Sequence, residues 1–312
     1  MKRKRRKPDI PTRRSGTFDP DMPSLLELER FDSSSFQQWT AAGRALDALY
    51  SSLYFELEPL RQRDGQVLLD ALRRAAIQGF EFQEWCRLVD YRCSLTPLSM
   101  VGSTNGIGGR FNIGKQIGPG TITPFPSLYL GENYETAFRE RFAFSASTSK
   151  SGLSATDFAL RSEASFSQVR LRGALDYVVD VGDLAALQRF VDVIRKYKTP
   201  RSAVTLSRRL AMKSPPMMIR SAMGLQRQLL HPNWRAMPNQ FSIPSNSQIF
   251  GRLISAAGIH GILYPSVRNS DKRCLAVFPQ NWKGTTSFVE LMDTAPAPTV
   301  LARLDGGACA IN

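Results

Sequence analysis

Seven glycines fall between positions 102 and 120 (Gly102, Gly106, Gly108, Gly109, Gly114, Gly118 and Gly120), with Arg110 among them. Backbone amides exposed by glycine, next to a guanidinium, are groups that can hold a phosphate or pyrophosphate. Gly109-Arg110-Phe111-Asn112-Ile113-Gly114-Lys115-Gln116 comes close to the phosphate loop G-x-x-x-x-G-K-[ST]. Gln116, however, stands where a hydroxyl must reach magnesium, and no glycine triplet there has the G-x-G-x-x-G dinucleotide spacing. The segment reads as an unconventional anion cradle or as a flexible solvent loop. Cys86, Cys93, Cys274 and Cys309 form no C-x-x-C pair, and His231 and His260 have no partner at ligand spacing. That pattern argues against a structural zinc site, a disulfide framework or a serine–histidine triad. His260, within Gly258-Ile259-His260-Gly261, reads as a turn residue.

Short elements must position this loop. Apolar residues from Phe36 to Leu53, Trp39 among them, share one helical face, and Pro59 is expected to follow that helix. A second helix is expected over Asp64–Gln78 and a third, short amphipathic one over Phe80–Val89. Ser127-Leu128-Tyr129-Leu130 reads as a strand, and Asn133 as the cap of a helix carrying Glu140. A strand is expected at Tyr177–Val181, with a helix after it. Residues 145–172 have no clear pattern, and 199–246 read as a long irregular excursion. Ser247 is expected to cap a helix closed by Gly258, ahead of two strands, Gly261–Tyr264 and Cys274–Phe278. The expected organisation is a disordered basic tail (1–35), a helical subdomain (36–89), a catalytic domain (90–293) with a long insertion near 145–246, and a loose tail (294–312).

The 312 residues are 42% hydrophobic and 22% charged, which excludes a wholly disordered or collagen-like chain. No apolar run approaches the roughly 20 residues of a membrane-spanning helix, and the basic start leads into no signal-peptide core. These features point to a soluble, cytoplasmic chain. The net charge is +14, and residues 2–7 with Arg13 and Arg14 supply eight positive charges against Asp9. Such a block suits nucleic acid, anionic lipid or an import receptor, or serves solubility alone. The rest of the chain remains basic, which suits a phosphate-bearing ligand.

Three separated pieces gain meaning together: Gly109-Arg110-Phe111-Asn112; the strand ending near Tyr129, with Glu140 eleven residues on; and Gly261-Ile262-Leu263-Tyr264-Pro265-Ser266-Val267-Arg268. Their order and the Tyr–Glu interval resemble the RES domain, a family of NAD-degrading toxins, over about residues 90–282. Tyr91-Arg92 resembles that family's opening aromatic–Arg step. The interval from Arg110 to Tyr129 and the material at 145–246 are longer than in a compact member. The resemblance implies an α+β fold with an ADP-ribosyltransferase-like split mixed sheet and flanking helices, here with an N-terminal helical extension. It implies a toxin that depletes NAD by hydrolysis or phosphorolysis, with a cognate antitoxin or immunity protein as partner. NAD is then a substrate, and neither cofactor nor metal is expected.

Cleaving the nicotinamide–ribose bond develops positive charge on the ribose, which a carboxylate stabilises; Glu140 is the candidate. Arg110 and Arg92 suit the pyrophosphate, with Asn112 and Arg268 as further binding residues. Tyr129 suits stacking on nicotinamide or bonding to ribose. Ser266 suits a bond to the carboxamide or ribose, with no base to make it a nucleophile. Taken singly, Glu140 reads equally as a partner of Arg139 or Arg141, Tyr129 as core and Ser266 as a turn residue. Transfer of ADP-ribose to a macromolecule would use the same cleft. A non-catalytic nucleic-acid-binding protein, with residues 2–14 as its arm, is the alternative from another class.

Overall fold

A computed structural model describes residues 33–142, 165–214, 216 and 218–307. The basic stretch 2–14, the side chains of Phe36 and Trp39, residues 145–164 of the expected insertion and Cys309 lie outside the described residues. The chain divides into two compact units, Met1–Ala45 and Leu46–Asn312. The first contributes the opening turns of helix α1 (Ser33–Arg63), and the second holds the sheet and the remaining helices.

Pro59 lies inside α1 instead of after it. Proline removes one ladder donor, and Arg61 ties the turn across it by donating to Tyr54 O and Glu58. Helix α2 (Gly65–Ala75) buries Leu68, Ala71, Leu72 and Ala75, close to expectation. The third helix does not form: Ile77–Asp90 is strand β1. A bulge between Phe82 and Trp85, with Glu84 at φ +60°, shifts the register there. Its extra residue puts buried Phe82, Trp85 and Val89 at intervals of three and four, which imitates a helical face.

Strand β2 (Leu128–Gly131) leads into α3 (Tyr134–Phe142), and β3 runs from Phe166 to Asp180, far longer than the expected strand. Helix α4 (Leu184–Ile194) follows. The region expected to be irregular holds α5 (Arg201–Arg209), α6 (Ala222–Leu229) and α7 (Ala236–Phe241). Buried residues are sparse on α5 (Ala203 and Ser207) and α7 (Pro238), while α6 buries Ala222, Leu225 and Leu229, and Pro and Met in the segments between them interrupt the period. Helix α8 (Asn246–Ala256) is capped by Ser245, two residues before the expected Ser247, in a reciprocal capping box with Gln248. Strands β4 (Gly261–Pro265) and β5 (Arg273–Val277) form as expected. Strands β6 (Phe288–Leu291) and β7 (Arg303–Asp305) then pair with each other, which puts a strand inside the expected C-terminal tail.

The sheet order is β1-β2-β5-β4-β3-β6-β7, and β1 also pairs with β3. The pairings β1–β2, β2–β5, β5–β4, β4–β3 and β3–β1 therefore close a ring of five strands; only β3–β4 is parallel. Along β3 the partner changes from β6 (Leu171–Ala174) to β4 (Val178–Asp180). The fold is α+β. Alternation along the strands sends Leu128, Leu130, Leu263, Leu275 and Val277 into one core with Trp85 and Trp282. Tyr129, Ile262, Tyr264, Cys274 and Ala276 face the other way, onto α2, α4, α6 and α8.

Candidate functional site

The glycine segment is a buried, folded loop. Phe111, Asn112, Ile113 and Ile117 are fully buried, and Gly114 N and Gln116 N return to Ile107 O and Gly106 O. Asn112 locks it: its Oδ1 accepts from Gly109 N (2.9 Å) and Tyr129 OH (2.9 Å), and its Nδ2 donates to Ser103 O and Phe125 O. The Tyr129 hydroxyl in turn accepts from Phe111 N (2.8 Å). Gly109 lies so close to Tyr129 that a Cβ there would sit 2.5 Å from the phenol oxygen. From behind, Gln248 Nε2 reaches Ile107 O, Gly109 O and Asn112 O. Arg110 is thus carried between two residues whose amides are tied to Asn112 and Tyr129. Asn112, expected to bind substrate, has its whole amide committed within the protein and acts as the lock of the loop. Burial raises the Tyr129 phenol above its ordinary pKa, so it remains a neutral hydrogen-bonding group.

On the opposite side, α3 and the β4–β5 turn meet. Asn133 Oδ1 caps α3 by accepting from Thr136 N (2.9 Å), as expected. Asn269 Nδ2 donates to Thr136 Oγ1 (2.8 Å), and Glu132 accepts from Arg273 N (2.8 Å) and Lys272 Nζ (3.3 Å). These contacts hold the turn against the start of α3 and bring Ser266 to Glu140. Ser266 Oγ donates to Glu140 Oε1 at 2.7 Å, and Val267 N donates to the same oxygen at 3.0 Å. Ser266 Oγ also accepts from Arg268 N and Asn269 N. Glu140 Oε2 has no hydrogen-bond partner among the described residues. The helix-face alternative does not form: Arg139 pairs with Glu135, and Arg141 with Asp90.

Arg235 feels the charges of Glu140, Arg110 and Arg268. Arg110 is buried, its Nη1 donating to Leu229 O (3.1 Å) and His231 O (3.0 Å). Its guanidinium carbon lies 5.9 Å from the centre of the buried Trp234 ring, and that of Arg235 lies 4.7 Å from the same ring. Arg235 is lowered from its usual pKa by burial first, then by repulsion from Arg268 and Arg110, with Glu140 opposing. Tyr264 and the Cys274 thiol, buried beside Glu140, are both pushed up, chiefly by burial. Cys274 is therefore an uncharged wall, since reactivity needs thiolate. Residues 184–250 contain eleven Lys and Arg and one acid, Asp192. The positive charge of the body is therefore concentrated in the stretch that carries Arg235.

Arg110, Tyr129, Glu140, Ser266 and Arg268 thus converge. Arg92 does not join them: it sits in the short turn after β1, its side chain 84% exposed, paired with Asp90 at 3.7 Å. The arginine that β1 does bury is Arg87, which burial pushes down to about 10. Arg87 Nη2 donates to Ser99 O and Nη1 to Tyr129 O, while its Nε has no partner among the described residues. Its place between the apolar residues Cys86 and Leu88 was the available signal. Arg235 and Trp234 had none, because their segment shows no periodicity. His260, expected in a turn, is buried and bonded to Ser287 Oγ through Nδ1 (2.7 Å). Among the described residues no helix is long and apolar enough to cross a membrane, and no group of three or more acidic, His or Cys side chains is placed to hold a metal ion.

No protein of curated function matches the sequence. Among solved structures, a chain of the M. tuberculosis MbcT–MbcA toxin–antitoxin complex is 18% identical, with 74% of this chain and 92% of that chain covered and a TM-score of 0.38. The family model of the RES domain matches residues 85–299, the stretch that holds the converging loop, helix and turn. The chain belongs to the RES domain family.

Proposed function

We propose that this chain is a toxin that depletes NAD in the cytoplasm by breaking the bond between nicotinamide and ribose. The observation that carries this reading is the carboxylate of Glu140, one oxygen held by Ser266 Oγ and Val267 N and the other without a hydrogen-bond partner among the described residues. A carboxylate so oriented stabilises the positive charge that develops on the ribose as the C–N bond breaks. Nicotinamide leaves as a neutral molecule with the bonding pair and needs little acid help. An oxygen of water or phosphate forms the new bond to the ribose carbon, and the acceptor's proton passes to solvent. Ser266 positions Glu140, Tyr129 and Asn112 position Arg110, and the arginines neutralise phosphate charge, so the reaction needs neither metal nor resident cofactor. The change of partner along β3 supports an ADP-ribosyltransferase-like split of the sheet. A cognate antitoxin is the partner that family membership supports.

The test is cellular NAD after induced expression of the wild type beside Glu140→Ala. Rapid loss with wild type alone is expected, and omitting phosphate from a purified assay then identifies the acceptor. Unchanged NAD despite soluble wild-type protein refutes the reading.

A further inference from the structure

Arg235 is the unexplained charge beside Glu140. It stands in the turn before α7, and its guanidinium shares the buried Trp234 ring with that of Arg110 (4.7 and 5.9 Å). Stacking occupies a guanidinium's flat face and leaves its edge donors free. Arg110 commits one nitrogen to Leu229 O and His231 O, which fixes its plane. Arg268 lies on the turn whose Ser266 holds Glu140, and its charge acts on Arg235. Many arginines of this protein are paired with carboxylates, among them Arg61, Arg139, Arg141, Arg170, Arg172 and Arg303. Arg110, Arg235 and Arg268 make no such pair among the described residues. Gathering like charges without counter-ions is unfavourable unless a ligand supplies them. Three guanidinium charges against the one carboxylate of Glu140 leave an excess of two, the charge of the diphosphate in a dinucleotide.

We infer that Arg235 completes, with Arg110 and Arg268, a seat for a diphosphate, and that Arg235 makes this seat prefer a diphosphate to a single phosphate. The inference rests on the dinucleotide reading above for its biological ligand, but the seat itself can be measured separately. Stacked on Trp234, Arg235 reaches the second phosphate while Arg110 holds the first.

The experiment is calorimetric titration of the full-length protein with inorganic pyrophosphate and with inorganic phosphate. Wild type is compared with Arg235→Gln, Arg235→Lys and Arg227→Gln, the last an exposed cation on α6, and thermal melts confirm folding. Wild type should bind pyrophosphate at least tenfold more tightly than phosphate. Arg235→Gln should lose roughly ten- to a hundredfold in pyrophosphate affinity, as for one charge-assisted contact, and far less for phosphate. Arg235→Lys should recover part of the loss, and Arg227→Gln should bind like wild type. Equal pyrophosphate affinity in wild type and a folded Arg235→Gln overturns the inference, as does no pyrophosphate binding by wild type. NAD assays separate the two readings. NAD consumption with an unchanged KM in Arg235→Gln overturns the seat alone. Untouched NAD with selective loss of pyrophosphate binding overturns the enzymatic reading alone.

Discussion

Replacing Tyr129 with phenylalanine tests whether the hydroxyl is a structural clamp on the Arg110 loop. The phenol donates to Asn112 Oδ1 (2.9 Å) and accepts from Phe111 N (2.8 Å), on the two residues that follow Arg110. Tyr129→Phe removes both bonds. Asn112 Oδ1 keeps its bond from Gly109 N, so the orphan is the amide of Phe111. A buried donor left unpaired costs about 1–3 kcal/mol, so the loss should centre on about 2 kcal/mol. In a domain of this size that lowers Tm by roughly 4–8 °C. The slackened loop should raise KM for NAD more than it lowers kcat, because Arg110 serves binding. Pairing Tyr129→Phe with Asn112→Ala should give a coupling of about 1 kcal/mol or more, since the two share one network. The assays are thermal melting and NAD turnover on purified protein. A variant melting within about one degree of wild type, with wild-type KM, refutes the clamp.

Glu140→Gln keeps the shape of the side chain but removes its charge; NAD turnover should fall at least ~100-fold with little change in melting, and turnover near wild type would disprove the role of the carboxylate. Ser266→Ala leaves Val267 N as the sole donor to Glu140 among the described residues, so kcat should fall roughly tenfold or more while KM changes little. Gly109→Ala forces a methyl to within 2.5 Å of the Tyr129 oxygen, and should cost about 2 kcal/mol or more in stability together with most of the turnover. Burial lowers the pKa of His260 below its ordinary 6.5, so the unfolded chain takes up a proton first. That group's contribution to stability is complete above pH 6.5 and is lost as pH falls through 6.5 to the folded pKa. Tm measured from pH 7.5 to 5 should decline more steeply in wild type than in His260→Gln, and parallel declines would rule out His260 as a source of the slope.

The pieces of chemistry were legible because each is local. Gly109-Arg110-Phe111-Asn112, the eleven-residue step from Tyr129 to Glu140, and Ser266 beside Arg268 lie on single elements whose spacing along the chain is their signature. Strands β2, β4 and β5 were equally readable, being short apolar runs with turn residues at their ends. What the chain could not display was decided by contacts between distant segments. The bulge at Glu84 made a strand resemble a helix, and only pairing with β3 reveals it. Whether Glu140 paired with Arg139 or with Ser266 depended on the Asn269–Thr136 and Glu132–Arg273 contacts that dock a turn more than 130 residues away. Asn112 looked like a ligand-binding residue until Gly109, Tyr129, Ser103 and Phe125 used every bond it can make. Arg92, expected at the site, lies exposed beside Asp90, while Arg235, which no pattern marked, feels the charge of Glu140. Residue type and spacing specify which groups are offered, but the direction of a side chain and the identity of its neighbours arise only when the ring of strands closes and sets distant segments side by side.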